Sequence, residues 1–138
     1  MKQTIIYLNF DGNCREAMEF YKKCFEAELY LLPFSEAPAD FLWVSAEAKD
    51  KVMHATLSKG TSTLLMASDT MPGMSFQPGN NFSVMIQCES LEEIKRLFAA
   101  LGEKGKVTMA LQDTFWAARF GTLTDRFGIS WIIQLETS

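Results

Sequence analysis

Two stretches of this chain follow one plan. "YLNFDGNCREAMEFYKKCF" (7–25) and "VMIQCESLEEIKRLFAALG" (84–102) each read as a short strand, a helix cap and an amphipathic helix. Asn13 with Glu16, and Ser90 with Glu93, have the spacing of a capping box, in which side chains satisfy N–H groups that a helix start leaves unpaired. Ala17, Phe20, Tyr21 and Cys24 form one apolar stripe; Ile94, Leu97, Phe98 and Leu101, extended by Leu91, form the other. Steps of three and four place each set on one helical face. The shift that carries Asn13 to Ser90 also carries Phe20 to Leu97 and Tyr21 to Phe98. The helices follow strands over about 4–10 and 82–88.

The remainder of each half reads as strands. "LYLLPF" (29–34) follows the first helix, and "KVMHATLSKGTSTLLMAS" (51–68) has the pattern of a hairpin turning at Lys59-Gly60. In the second half, "GKVTMALQ" (105–112), "FWAARFGTLTD" (115–125) and "ISWIIQLE" (129–136) take the same roles, with Arg126, Phe127 and Gly128 in the last turn. The expected fold is α+β: two tandem β-α-β-β-β modules forming a curved, mostly antiparallel eight-stranded sheet with helices outside. One domain spans 1–138, with module one over about 1–68, a Pro/Gly-rich linker over about 69–80 and module two over about 81–138. The long loop "SEAPADFLWVSAEAKD" (35–50) has the length of a lid or binding loop. One helix covers one face of a four-stranded sheet, so an inner, concave surface stays free to enclose a small molecule.

Composition narrows the function. The 138 residues are 48% hydrophobic and 22% charged, enough apolar material for a core. The net charge of -4 leaves no basic stripe to neutralise phosphates, which argues against nucleic acid as a partner. The N-terminus lacks the apolar run and cleavage site of a secretory signal, and no stretch approaches the roughly 20 apolar residues of a membrane span. Cys14, Cys24 and Cys88 are an odd count without metal-site spacing and are expected to be reduced thiols in a cytoplasmic protein.

The densest candidate for a ligand wall is "DTFWAARFGTLTDRFGISW" (113–131). Phe115 and Trp116 are expected to start a strand, Phe120 to lie within it, and Trp131 to lie on the next. Alternation sends neighbours to opposite faces, so each ring packs either on a helix or in the cavity. Asp113 can cap or pair nearby. Gln134 and Glu136 alternate with Ile133 and Leu135 on the last strand, where Glu136 is either polar lining or a solvated chain end. Met66 and the other methionines are either a pliable wall or core filler. Asp69 reads as a turn cap rather than a ligand contact. His54 is either a partly buried imidazole bonded to a carbonyl or hydroxyl, or a polar group of the pocket.

The segments "YLNFDGNCREAMEFY", "VMHATL", "LLMASDTMPG", "LQDTFWAARFGTLTDRFGISW" and "IIQLE" together resemble the PhnB-like branch of the vicinal oxygen chelate superfamily, which includes glyoxalase I, extradiol dioxygenases and the fosfomycin and bleomycin resistance proteins. The resemblance spans nearly the full chain and implies the duplicated fold. It does not specify an activity, because the superfamily holds lyases, isomerases, dioxygenases, transferases and metal-free binders. Metal-dependent members hold a divalent ion with His, Glu or Gln from inner strands. The corresponding positions here fall at Ile6, Ser83, Ile132 and within Leu64–Met66, which offer no strong ligand, so no metal and no other cofactor is expected.

The resemblance thus implies a metal-free pocket for a small hydrophobic or amphipathic molecule, lined by Tyr7, His54, Met66, Phe115, Trp116, Phe120 and Gln134, and a homodimeric assembly. The alternative is a lyase, isomerase or transferase, either metal-dependent or with His54 as general base and so the catalytic residue. PhnB-like chains are also associated with demethylubiquinone methylation. A methyl-donor site needs a glycine-rich turn between strand and helix, whereas "DGNC" has one glycine and fits a helix cap better.

Overall fold

The structure is a computed structural model and describes residues 1–38, 48–71 and 73–137. It divides into two compact units, Met1–Gln77 and Pro78–Ser138. Most of the long loop read as a lid, residues 39–47, lies outside the described residues.

The first unit runs β1 (Tyr7–Phe10), α1 (Cys14–Phe25), β2 (Glu28–Pro33), β3 (Val52–Lys59) and β4 (Ser62–Asp69). The second runs β5 (Val84–Cys88), α2 (Leu91–Leu101), β6 (Lys106–Gln112), β7 (Ala117–Thr124) and β8 (Ser130–Glu136). Both are β-α-β-β-β, as the repeat requires. Strand order is β1-β4-β3-β2 in one sheet and β5-β8-β7-β6 in the other. β1 pairs parallel to β4 and β5 parallel to β8; the remaining pairs are antiparallel. The eight strands thus hydrogen-bond as two mixed four-stranded sheets and not as one sheet of eight. A helix between the first two strands of each unit forces this order, because the chain leaves the helix at the far edge and returns by two hairpins.

In the first unit α1 covers one face of its sheet. Cys14, Ala17, Met18, Tyr21 and Cys24 of the helix are buried with Leu8, Ala55, Leu57, Leu65 and Ala67 of the strands. The register aligns Leu8 with Ala67 and Ala67 with Ala55 across three strands, so these side chains share the helix side. In the second unit Ile94, Leu97 and Leu101 of α2 are buried together with Leu123, Trp131 and Ile133. A Cβ on Gly121 would lie 2.6 Å from Cε2 of Phe98, so the absence of a side chain there lets the α2 ring settle on β7.

The two helix starts differ. Ser90 accepts a bond from the Glu93 amide at 3.1 Å, and Glu93 reaches back to the amide of Glu89 at 2.8 Å, close to the expected capping box. At α1 the expected Asn13 cap does not form: its side chain makes no capping bond. Asp69, at the end of β4, takes that role. Its Oδ1 accepts from the amides of Gly12 and Cys14 and its Oδ2 from the amide of Val52, each at 2.9 Å. A charged, buried acceptor already aimed at these amides outcompetes a neutral amide side chain. Asp69 is therefore the last residue of β4 and not part of the linker, and the break between units falls after Gln77.

Candidate functional site

The face of each sheet turned away from its helix carries the candidate side chains. In the first unit the register pairs Tyr7 with Met66 and Met66 with Thr56, on the opposite face from the buried Leu8–Ala67–Ala55 row. His54, two residues before Thr56, shares that face. Tyr7 Oη lies 3.4 Å from His54 Nδ1, with the ring centroids 5.9 Å apart, and His54 Nε2 lies 3.1 Å from Thr56 Oγ1. A hydroxyl thus addresses each ring nitrogen and holds the ring in place, and either hydroxyl can donate or accept there. The sequence did not single out Thr56, because only the position of His54 two residues away on one strand makes it a partner.

In the second unit the matching row is Gln87, Gln134, Phe120 and Gln112, joined by cross-strand register. Gln134 Nε2 donates to Gln87 Oε1 at 3.1 Å, and Gln87 Nε2 donates to Glu136 Oε1 at 3.1 Å. Trp116 meets the Phe120 ring edge to face at 5.3 Å and also touches Phe115 at 4.8 Å. Trp116 is 48% exposed and Phe115 is 96% exposed. The expectation that Phe115 and Trp116 start a strand is corrected. β7 begins at Ala117, and both rings sit in the preceding turn, where the Thr114 hydroxyl accepts from the Ala117 amide at 3.0 Å. Arg119 pairs with Asp113 across this turn. Trp131 belongs to the core, 1% exposed, with its ring N–H donating to Asp125 Oδ2 at 2.8 Å.

The seven candidates therefore divide into Tyr7, His54 and Met66 in the first unit and Phe115, Trp116, Phe120 and Gln134 in the second. Gln87 and Glu136 join the second group through hydrogen bonds that alternation alone does not reveal. A separate cavity of about 190 Å³ opens in the first unit beside the β1–α1 loop, lined in part by Asp11, Gly12, Lys51 and Thr70, and holds none of the seven.

The donors present do not fit a divalent ion at the positions that the resemblance assigns. Ile6 precedes β1, and Ile132 lies on β8 opposite Met85; a hydrocarbon side chain cannot coordinate at either place. Among the described residues no three His, Cys, Asp or Glu side chains come together. The thiols are poor nucleophiles. Burial, aided by the Asp69 carboxylate and opposed by Arg15, pushes Cys14 up to about 12. Burial, aided by Glu93 and opposed by Arg96, pushes Cys88 up to about 11. No helix among the described residues is long and apolar enough to cross a membrane.

A family profile described as 3-demethylubiquinone-9 3-methyltransferase matches residues 2–134. Protein YjdN of Escherichia coli (strain K12) is 37% identical, over 94% of this chain and 92% of that protein. The crystal structure of protein PA1353 from Pseudomonas aeruginosa superposes with a TM-score of 0.88 at 42% identity, covering 100% of both chains. The PhnB protein from Bacillus cereus gives a TM-score of 0.76 at 26% identity, over 97% of this chain and 99% of that one. The duplicated units, the order of their strands and the span of these matches lead to one conclusion: the chain belongs to the PhnB-like 3-demethylubiquinone-9 3-methyltransferase family, within the glyoxalase/bleomycin resistance/dioxygenase fold group.

Proposed function

We propose that this protein is a metal-free binder of a small hydrophobic or amphipathic molecule, working as a cytoplasmic homodimer. One observation carries the reading. The Trp116–Phe120 ring pair stands beside a polar row ending in Gln134, an arrangement that offers apolar contact with a few directed hydrogen bonds. Tyr7, Met66 and His54 give the uncovered face of the first sheet the same mixed character. The buried cysteines, none of them in a disulfide among the described residues, accord with a reducing compartment. Edge strand β6, exposed at every residue but Leu111, accords with pairing to a second copy.

Methyl transfer, named in the family description, finds less support. The loop after β1 would have to offer amides to a nucleoside-type donor, and its Gly12 and Cys14 amides already bond Asp69. Catalysis by His54 is the second reading, favoured by the two hydroxyls that orient its ring. An imidazole so held is placed to serve as a general base.

Native mass spectrometry of freshly purified protein, with metal analysis after dialysis, tests the proposal. The expected result is a retained organic molecule without stoichiometric Zn, Mn, Ni or Fe, and its loss in Trp116→Ala and Phe120→Ala. A stoichiometric ion that survives dialysis would overturn it. His54→Ala separates the second reading, since a general base is needed for turnover and a wall residue only tunes affinity.

A further inference from the structure

The hydrogen bonds along the second sheet run in one direction. The Glu136 carboxylate accepts from Gln87 Nε2, which sets the orientation of that amide. That leaves Gln87 Oε1 to accept from Gln134 Nε2. Rotating either amide by half a turn would set oxygen against oxygen or nitrogen against nitrogen. The carboxylate thus fixes the polarity of both glutamines, and the acceptor left over at the end is Gln134 Oε1, beside the second N–H of the same amide. Gln134 is 9% exposed; among the described residues no donor reaches that oxygen, which keeps contact with solvent. Its cross-strand partner is Phe120, which carries the Trp116 ring at 5.3 Å.

We propose that Gln134 Oε1 reads an N–H or O–H group on an aromatic ligand seated against Phe120 and Trp116, and that Glu136, acting through Gln87, holds it as an acceptor. This rests on the binding role proposed above and names the ligand chemistry: a flat, mostly apolar ring with one hydrogen-bond donor at its edge. Without Glu136, either glutamine is free to rotate, and the pocket accepts donor and acceptor ligands alike. Glu136 is therefore a positioning residue and Gln134 the specificity-determining contact. The arrangement follows a general asymmetry: a site that bonds a polar group disfavours the analogue that leaves its partner unpaired.

The test uses two probes of matched shape, indole and benzothiophene, of which only indole carries a ring N–H. Each is titrated into the full chain while side-chain amide and tryptophan N–H signals are followed by NMR. Indole is expected to bind roughly three- to tenfold more tightly than benzothiophene, the range for one hydrogen bond, and to shift the Gln134 amide and Trp116 signals. Gln134→Leu is expected to abolish the preference while both probes still bind. Glu136→Gln, which keeps the side-chain shape, is expected to shrink the preference without loss of folding. Equal binding of the two probes to the unaltered chain overturns this inference and leaves the binding role standing. A preference unchanged in Glu136→Gln removes Glu136 from its role. Failure of both probes to shift Trp116 overturns the inference and the aromatic binding surface together.

Discussion

Asp69 joins three backbone amides to one carboxylate with almost no contact with solvent, being 3% exposed. Charge-assisted bonds of this kind are stronger than neutral ones, and losing the acceptor leaves three donors without it, two of them buried. Asp69→Ala is expected to destabilise the chain by about 3 kcal/mol or more in urea unfolding. Asn13→Ala, at the residue whose spacing looks like the cap, is expected to cost less than about 0.5 kcal/mol, because its side chain makes no capping bond. The thiols supply a pH test. In the unfolded chain they ionise near 9, whereas Cys14 and Cys88 stay protonated in the fold until about 12 and 11. Above pH 9 the unfolded state therefore holds fewer protons, and stability falls as pH rises. Each thiol adds a slope of about 1.4 kcal/mol per pH unit over its window. Below pH 9 its contribution is complete. Cys14→Ala is expected to remove its share of the alkaline slope when unfolding is compared at pH 8 and pH 10.

The elements were legible where local spacing decides them. The apolar stripes of α1 and α2 and the alternation in β3, β4 and β7 are periodic patterns, whereas Tyr7, His54 and Met66 become candidates through the family resemblance. What escaped the sequence depends on register or on distant partners. Asp69 reaches α1 from the far end of the unit; Gln87 and Glu136 meet only because β5 lies parallel to β8. Phe115 and Trp116 read as strand residues, since nothing in their neighbours reveals that Thr114 closes a turn on Ala117. Helix-to-sheet fit is a further feature of this scale. At Gly121 an added methyl would meet the Phe98 ring at 2.6 Å and Leu111 at 3.0 Å. Gly121→Ala is expected to destabilise by about 1–3 kcal/mol; a thermal transition matching that of the unaltered chain would refute this packing account.

At the scale of the molecule, the repeat made the β-α-β-β-β order readable, while the pairing of strands into two sheets required coordinates. Edge strand β6 presents exposed Val107 and Met109 along unpaired backbone. The homodimer proposed here is expected to sediment at twice the 15.6 kDa chain mass, and Met109→Lys is expected to shift it toward the monomer. A single-chain mass at micromolar concentration would refute the dimer. The reach of Asp69 also bears on how the chain is made. The amides at the start of α1 wait for an acceptor that emerges from the ribosome 55 positions later, after three further strands of the unit have been translated. A nascent chain stalled before β4 holds a helix with an open end and a β1 with no neighbour, since β4 is the strand it pairs with. In the first half of this protein the pairing of β1 and the closing bonds at the start of α1 therefore wait until β4 has been synthesised.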